Sequence, residues 1–365
     1  MKCVFGIVGS GWRSEFYLRI AKELPGLFEI SGLVTTNPEK AGRFENIFGV
    51  KVFGSFGELL DSSECDFVVV SIPARAAMPV SLELLRRGLP VLLETPPADT
   101  VENLIRFWRE LPSGAKIQVA EQYFLHPLHQ ARLAVAESGK LGTVNEVQVS
   151  FSHGYHGVSL IRKYLGIGFE NAQITARKFI LPCAEGFSRE GYPKRESIVG
   201  QAKTIASLDF GGKIGVYDFA ADQHRSWVRS PRIIVRGERG EIYDDRIKYL
   251  RNFITPAETR FLRKNVGENE NVEGYGLKGI MAEGEWVYKN PFPSARLIDD
   301  EIAVASCLVK MAEYVRGGEP FYSLAEASQD HYLGTLINQA ASDERDVFSE
   351  SMPWSGAGSE LCQLK

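Results

Sequence analysis

Histidines at two regular spacings are the residues of this sequence best suited to proton transfer, because histidine is the only side chain whose ordinary pKa lies near neutrality. Four of the six form His-x-x-His pairs, His126 with His129 and His153 with His156. His156 directly precedes the apolar run 157–165, which predicts a helix whose positive amino-terminal end favours neutral, proton-accepting imidazole. We therefore predict that His156 is a catalytic acid/base, and that His153 and Tyr155 donate hydrogen bonds to a substrate.

The same histidines allow other interpretations. Two pairs supply up to four nitrogen ligands, but no cysteine or carboxylate lies at ligand spacing, and His126-Pro127 is typical of a helix start. We therefore predict that the protein has no metal site. His156 as a helix-capping or packing residue, and His153 and Tyr155 as packing residues at a strand end, are alternatives that the sequence leaves open.

A glycine-rich turn near the amino terminus is the second chemical feature. The string Gly9-Ser10-Gly11-Trp12-Arg13-Ser14 follows a predicted strand and opens a predicted helix, which is the context in which such a string binds a dinucleotide. Gly9 permits the tight turn, Gly11 leaves room for a pyrophosphate, and the helix amino terminus supplies N–H donors. We expect Gly9, Gly11, Trp12 and Arg13 to bind NAD or NADP; a glycine turn without a ligand is the alternative.

The end of the second predicted strand bears on the choice of dinucleotide. An acidic residue there binds the ribose 2′-hydroxyl of NAD, whereas its absence, with an arginine nearby, tolerates the 2′-phosphate of NADP. The residues present are Thr35, Thr36 and Asn37, and Arg13 is close enough to reach the same side of the adenosine. The sequence predicts that these residues contact the cofactor and does not distinguish NAD from NADP.

Three further residues are candidates for substrate binding. Tyr123 follows the fifth predicted strand, at the edge of a parallel sheet where ligands bind. His224 and Arg225 begin His224-Arg225-Ser226-Trp227, which follows a later strand and has the composition of a sugar-stacking, hydrogen-bonding wall. Packing for Tyr123 and a subunit interface for the second group are the alternatives.

The elements that would position these residues fall into two halves. Up to about residue 121, short apolar strands alternate with amphipathic helices, such as 78–87 before Gly88. Strands that are apolar on both faces and separated by helices indicate a parallel sheet covered on two sides. The predicted strands cover 4–8, 29–34, 66–71, 90–94 and 116–120.

After about residue 140 the strands alternate polar and apolar residues and are joined by hairpin turns such as Gly211-Gly212, which indicates an open antiparallel sheet. The fold class is therefore α/β, with an amino-terminal Rossmann parallel sheet and a carboxyl-terminal α/β domain with a large open antiparallel sheet. We predict domains at 1–121 and 122–350 and a tail at 351–365. The predicted elements here are strands 145–151, 204–210, 213–219 and 232–236 and helices 299–316 and 323–341.

Composition excludes several classes of protein. The 365 residues carry a formal charge of −4 with both signs mixed along the chain, which gives no attraction for a nucleic acid. No apolar run approaches the roughly 18 residues needed to span a bilayer. The five cysteines are scattered and odd in number, which is typical of free thiols. We predict a cytoplasmic protein without nucleic-acid or membrane partners.

Several motifs together resemble the Gfo/Idh/MocA family of glucose-fructose oxidoreductases and inositol dehydrogenases. The resemblance covers residues 2–345 and implies a Rossmann domain, an oligomer, here a homodimer or homotetramer, and NAD(P)-dependent oxidation or reduction of a sugar or cyclitol hydroxyl. It also implies that Ser71, Ile72, Pro73, Glu94 and Thr95 contact the cofactor. The motifs are the glycine turn, Ser71-Ile72-Pro73, Leu93-Glu94-Thr95-Pro96-Pro97-Ala98, Ser138-Gly139-Lys140-Leu141-Gly142 and Asp299-Asp300-Glu301.

The sequence departs from this family where its chemistry would lie. The lysine of the family's Glu-Lys-Pro is replaced by Thr95, and the family's Asp-x-Gly-x-His becomes Ser152-His153-Gly154-Tyr155-His156, which keeps the glycine and the final histidine. The family's Thr-Pro-Asn becomes Ile72-Pro73-Ala74. We therefore predict an NAD(P)-dependent oxidoreductase of a sugar, glycoside or cyclitol in which His156 replaces the missing pair. A glycoside-cleaving enzyme that oxidises the sugar transiently and a catalytically inert dinucleotide or sugar sensor are the alternatives.

Overall fold

The computed structural model describes residues 2–62, 64–267 and 276–356. Most of the predicted loop around 267–271 and residues 357–365 of the predicted tail therefore lie outside the described residues. Within the described part of that tail, Trp354 is fully buried and its indole N–H donates to Oε1 of Gln329 at 2.9 Å.

The amino-terminal half alternates strands and helices, as the apolar runs predict. Its strands are β1 Cys3–Val8, β2 Phe28–Val34, β3 Val52–Phe53, β4 Phe67–Val70, β5 Val91–Leu93 and β6 Ile117–Val119. Its helices are α1 Trp12–Glu23, α2 Pro38–Phe48, α3 Phe56–Ser62, α4 Ala74–Arg86 and α5 Val101–Glu110.

These strands form one parallel sheet in the order β3-β2-β1-β4-β5-β6. The order reverses between β1 and β4, and ligands of such doubly wound sheets bind at the carboxyl ends of the strands at this point. The strands are buried on both faces because helices cover each side, as with Phe5 and Val69, which have no exposed surface. The predicted Rossmann parallel sheet is confirmed.

The second half contains more elements than the sequence predicts. Its helices are α6 Pro127–Glu137, α7 Gly154–Leu165, α8 Asp299–Val315 and α9 Leu324–Asp343. Its strands are β7 Val144–Ser150, β8 Gln173–Ala184, β9 Ile198–Asp209, β10 Ile214–Ala220, β11 Arg232–Gly237, β12 Gly240–Tyr243, β13 Arg246–Leu250, β14 Pro256–Arg260, β15 Leu262–Val266, β16 Gly276–Ala282, β17 Glu285–Lys289 and β18 Val347–Phe348.

Nine of these strands form a large sheet in the order β14-β13-β12-β11-β7-β10-β9-β8-β18, and β15, β16 and β17 form a small one. The large sheet is antiparallel except that β7 and β10 run parallel, so it is mixed, whereas the sequence predicts an antiparallel sheet. Helix α7 separates β7 from the β8–β9–β10 meander, which lets β10 return beside β7 in the same direction. The hairpin at Gly211 and Gly212 is confirmed, with φ of 73° and 107°.

The last two helices, α8 and α9, pack back against the amino-terminal half of the chain. Helix α8 packs on α1, where Arg19 Nε lies 2.7 Å from Oε1 of Glu301. The segment before α9 extends β6, because the N–H of Val119 donates to the carbonyl of Tyr322 at 2.9 Å. Among the described residues, no helix is both long and apolar enough to cross a membrane.

Candidate active site

A cavity of about 660 Å³ lies where the two domains meet. One wall is the carboxyl edge of the parallel sheet at β1, β2, β4 and β5, and the other is the first turn of α7. The cavity therefore joins the glycine turn to the cluster of histidines that the sequence singles out. Its lining residues are Val8, Gly9, Ser10, Gly11, Trp12, Arg13, Val34, Thr35, Thr36, Lys40, Ser71, Ile72, Pro73, Glu94, Thr95, His153, Tyr155 and His156.

The two glycines of the turn have different roles. Gly9 has φ of 128°, and a Cβ there would lie 2.0 Å from the carbonyl oxygen of Ser71, so only glycine allows the loops after β1 and β4 to approach this closely. A Cβ on Gly11 would meet nothing within 4 Å. Gly11 is the N-cap of α1 and offers no side-chain acceptor to the first helical N–H groups. Open space before uncapped N–H donors fits the pyrophosphate of a dinucleotide.

Eleven of the twelve predicted cofactor residues line this cavity, and Asn37 does not. Asn37 instead caps α2, because its Oδ1 accepts from the N–H of Lys40 at 3.0 Å. Lys40, which sequence reasoning missed, lines the cavity beside Thr35 and Thr36, and its ammonium group donates to the carbonyl of Ser10 at 3.0 Å. The cavity lining beside Thr35 and Thr36 therefore contains the positively charged side chain of Lys40 and no carboxylate.

His156 and Glu121 form a buried hydrogen-bonded pair. Nδ1 of His156 lies 2.5 Å from Oε2 of Glu121, and the two residues are 5% and 1% exposed. The other carboxylate oxygen of Glu121 accepts from the backbone N–H of Tyr123 at 3.1 Å, which holds it in place. Because Nδ1 is engaged, Nε2 is the ring nitrogen available to a molecule in the cavity. Glu121 is the second residue after β6, so the same edge-of-sheet argument that selected Tyr123 applies to it.

Burial sets the protonation of this pair. It raises the pKa of Glu121 to about 8 and, with the positive charge of Arg13, lowers the pKa of His156 to about 3. At neutral pH Glu121 is therefore protonated and His156 is neutral, so the pair holds one proton that it can transfer and is uncharged overall. Loss of that proton leaves a carboxylate that accepts the Nδ1–H bond and an Nε2 with a free lone pair, so the two residues titrate as one unit.

A second network holds Arg13 at the mouth of the glycine turn. Its guanidinium lies 2.9 Å from Oδ2 of Asp300, and Oδ1 of Asp300 lies 3.2 Å from the amide of Gln122 and 3.1 Å from Nε2 of His126. Burial alone would raise the pKa of Asp300, but the hydrogen bond of His126 and the charge of Arg13 hold it well below its usual value. Asp300 therefore stays ionised and neutralises Arg13.

Glu94 is the carboxylate nearest the missing lysine position. The hydroxyl of Tyr17 donates to it at 2.5 Å, and the N–H of Thr95 donates to it at 3.3 Å. Burial raises the pKa of Glu94, and the charge of Arg13 opposes that rise. Thr95 precedes a cis peptide bond to Pro96 and presents a neutral side chain to the cavity.

The other two predicted catalytic residues, Tyr155 and His153, line the cavity from the start of α7. The side chain of Tyr155 interacts with that of Thr95, and burial raises the pKa of its hydroxyl. The His153 ring lies 5.0 Å from the His156 ring, and burial together with His156 lowers its pKa to about 4, so it is neutral at pH 7. His153 is the N-cap of α7, which begins at Gly154 and not at the predicted 157.

None of the three predicted substrate residues, Tyr123, His224 and Arg225, lines the cavity. The Tyr123 ring packs 4.4 Å from the ring of His156, behind it and outside the lining of the cavity. The His224 ring lies 5.9 Å from that of His153, at the border of the site. Arg225 is exposed, and the structure does not bring it into the lining.

The two His-x-x-His pairs do not converge. His129 is fully buried, and its Nδ1 lies 2.7 Å from the hydroxyl of Tyr164, whereas His126 faces Asp300. Within residues 2–62, 64–267 and 276–356 there is no group of three or more histidine, cysteine or acidic side chains placed to hold a metal ion.

Comparison with known proteins agrees with this site. Residues 3–121 match the family model GFO_IDH_MocA, described as an oxidoreductase family with an NAD-binding Rossmann fold. Over these residues the chain is similar to the NAD-binding domain of the Gfo/Idh/MocA oxidoreductases. The matched residues contain the glycine turn, Lys40, Glu94 and Glu121, so both the cofactor wall and one member of the buried acid/base pair lie in the family's domain.

Relatives in sequence are distant and partial. The chain is 28% identical over 123 residues to the rhizopine catabolism protein MocA of Rhizobium meliloti, covering 33% of this chain and 35% of that protein. It is 26% identical over 168 residues to the uncharacterized protein YMR315W of Saccharomyces cerevisiae, covering 44% and 46%. The chain thus matches less than half the length of either protein.

Solved structures share the whole fold. Levoglucosan dehydrogenase in complex with NADH has a TM-score of 0.69 at 13% identity, covering 96% of this chain and 100% of that one. The WlbA dehydrogenase of Bordetella pertussis in complex with NADH and UDP-GlcNAcA has a TM-score of 0.63 at 18% identity, covering 96% and 99%. At these identities the likeness shows that this chain has the same fold over nearly its whole length.

Proposed function

We propose that this protein is an NAD(P)-dependent oxidoreductase that transfers a hydride to or from the carbinol carbon of a sugar, glycoside or cyclitol. The observation that carries the proposal is the placement of the His156–Glu121 pair in the same cavity as the glycine turn. A dinucleotide site and a proton-transfer group in one cavity are the two components that alcohol oxidation requires.

The cofactor would be held by the Rossmann wall of the cavity. Uncapped N–H groups at the start of α1 and the free space at Gly11 fit the pyrophosphate. Thr35, Thr36 and Lys40 would face the adenosine ribose, and Thr95 lies toward the histidines. When bound, the dinucleotide supplies the hydride acceptor or donor. Trp12 and Arg13 line the same wall of the cavity.

The proton would travel through His156. In oxidation, Nε2 accepts the hydroxyl proton of the substrate as the C–O bond becomes a carbonyl, and the Nδ1 proton moves toward Glu121, so the charge that appears on the imidazole is shared with a carboxylate. In reduction the uncharged pair returns that proton to the alkoxide oxygen. Lysine is not needed, because this pair replaces its ammonium group as the proton-transfer group.

The substrate class rests on the remaining polar groups of the cavity. The Tyr155 hydroxyl and the neutral His153 ring provide the cavity with a donor and with a donor or acceptor. Paired hydroxyls of a sugar or cyclitol fit such a set. Levoglucosan dehydrogenase in complex with NADH and levoglucosan and WlbA in complex with NADH and UDP-GlcNAcA share this fold, and this supports the same substrate class here.

A glycoside-cleaving reaction is a second candidate, favoured by the presence of two neutral imidazoles in one cavity. Hydride transfer uses one proton-transfer group, whereas elimination of an aglycone also requires removal of a proton from the carbon next to the new carbonyl. His153 could accept that proton, after which the aglycone leaves, water adds and the carbonyl is reduced again. This reaction leaves no net change in the dinucleotide.

One experiment separates the candidates. The protein is incubated with NAD or NADP and a panel of monosaccharides, cyclitols and their p-nitrophenyl glycosides, while the absorbance of reduced nicotinamide and the release of nitrophenol are followed. Reduced nicotinamide without nitrophenol supports the oxidoreductase. Nitrophenol without net reduction supports glycoside cleavage, and dinucleotide binding with neither product indicates a sensor and would refute the proposal.

Subunit number and compartment are part of the same proposal. Apolar side chains such as Phe179, Ile180 and Ile205 are 44%, 66% and 41% exposed on β8 and β9, which supports a homodimer or homotetramer formed through the large sheet. Sedimentation of the purified protein tests this. Cys3, Cys65, Cys183 and Cys307 are free thiols, which supports the cytoplasm as its compartment.

A further inference from the structure

Three exposed aromatic rings form a cluster on two loops beside the cavity. Phe187 and Tyr192 lie on the loop between β8 and β9, and Trp227 lies on the loop between β10 and β11. The ring centroids of Phe187 and Tyr192 are 5.4 Å apart, and those of Tyr192 and Trp227 are 5.9 Å apart. They are 40%, 75% and 72% exposed. We call these three residues the rim cluster.

Each loop contacts a residue that lines the cavity. Arg189, on the first loop, places its guanidinium 4.4 Å from the ring centroid of Trp12 at the glycine turn. His224, on the second loop, lies 5.9 Å from His153. The rim cluster therefore lies on two loops, one of which contacts the cofactor wall and the other the cavity histidine His153.

The loops are held in shape by hydrogen bonds. Ser188 and Gly191 exchange two backbone bonds of 3.0 and 3.1 Å, which close the tip between Phe187 and Tyr192. The hydroxyl of Ser226 accepts from the N–H groups of Val228 and Arg229 at 3.2 and 3.0 Å, which forms the turn that presents Trp227.

The two loops are also tied to one another. Arg229 lies 3.4 Å from Asp222 and donates to the carbonyl of Pro182 at 3.1 Å, so the strand end that leads into the first loop is joined to the second. An arrangement fixed before binding costs little ordering entropy when a ligand binds.

Resting on the proposed function, we propose that the rim cluster is a subsite for the second ring of the substrate, so that the substrate is a glycoside with an aromatic or sugar aglycone. Exposed tryptophan and tyrosine faces bind planar or flat apolar ring surfaces. The rings of Phe187 and Tyr192 are inclined at 70° and those of Tyr192 and Trp227 at 45°, so the cluster exposes aromatic surface in more than one direction. A surface of three side chains is much smaller than the roughly 800 Å² that each partner of a stable complex buries.

The test compares ligands that differ only in the second ring. Binding of p-nitrophenyl and methyl glycosides of glucose, galactose, mannose and xylose to the NAD-loaded protein is measured by calorimetry, with turnover followed on the same samples. For at least one sugar we expect the p-nitrophenyl glycoside to bind roughly tenfold more tightly than the methyl glycoside. Trp227→Ala and Tyr192→Ala should each remove most of that ratio without changing the affinity for NAD.

Phe253→Ala is the matched control, because Phe253 is an aromatic residue, 86% exposed, on the turn between β13 and β14. It should leave the ratio unchanged. Equal binding of both glycosides for all four sugars, or no binding of any, would overturn the subsite. So would variants that change the sedimenting mass and leave the ratio intact, because the rim cluster would then be a subunit contact. A ratio that depends on Trp227 without any turnover would support the subsite and refute the proposed function.

Discussion

Replacing Glu121 with glutamine should remove the pH dependence of the reaction. Alcohol oxidation needs the pair in its proton-free form, and burial raises the pKa of Glu121 to about 8. The oxidation rate of the wild type should therefore rise with pH through about 8, while the rate of carbonyl reduction should fall over the same range. The neutral amide of glutamine cannot ionise, so the Glu121→Gln variant should show no step near this pH.

The size of the effect follows from the geometry of the pair. At 2.5 Å from Nδ1, the carboxylate fixes the ring and stabilises the positive charge that forms on it. A glutamine N–H turned toward Nδ1 would instead place the ring hydrogen on Nε2, the nitrogen that must accept the substrate proton. We therefore expect turnover to fall by about a hundredfold.

The assay is the rate of nicotinamide reduction between about pH 6 and 10 at saturating substrate, with calorimetric NAD binding as a check that the cofactor site is intact. Glu121→Asp is the matched control, because it keeps the charge and should retain a step in the pH profile at reduced rate. Turnover of Glu121→Gln within about threefold of the wild type, with the step near pH 8 unchanged, would refute the role of this carboxylate.

Four other substitutions test the cofactor wall. Gly11→Val should abolish NAD and NADP binding in calorimetry while the melting temperature stays near that of the wild type, because the space there is free in the protein; Gly9→Ala should lower the melting temperature, because its Cβ would overlap the Ser71 carbonyl. Normal binding by Gly11→Val would contradict the site. Thr95→Ala should reduce turnover only mildly, and a loss of about a hundredfold would show that Thr95 takes part in proton transfer. Lys40→Ala should weaken NADP binding roughly fivefold more than NAD binding, since only NADP has a 2′-phosphate; equal effects would place Lys40 away from the ribose.

The Rossmann half was predictable because its signals are local. Apolar runs of strand length, the glycine turn and helix ends such as Gly88 are each contained in a few consecutive residues. The nine-stranded sheet was harder to predict. Strand β8 buries Ile174 and Ala176 near its start but exposes Phe179 and Ile180 at its centre, so its alternation is lost where it leaves the core. The parallel pairing of β10 with β7 depends on the position of α7, which no local pattern encodes.

The site shows the same division. His156, His153 and Tyr155 were selected by residue type and by their position before a helix, and the structure places all three in the lining of the cavity. Glu121 was missed because an isolated glutamate after a strand carries no motif, and only the fold brings it to a histidine 35 positions away. The sequence also predicts titration between about pH 6 and 8, from the ordinary pKa of histidine. Burial of the carboxylate moves the expected step to about 8.

The most direct test of the central claim is the turnover of His156→Ala measured together with its affinity for NAD and NADP. Because the dinucleotide would be held by the Rossmann wall, its affinity should remain close to that of the wild type. Turnover on the best substrate of the panel should fall by roughly 10² to 10⁴, the usual contribution of a general acid/base group. If His156→Ala keeps near-normal turnover with an unchanged pH profile, proton transfer belongs to another residue and the mechanism proposed for this site is wrong.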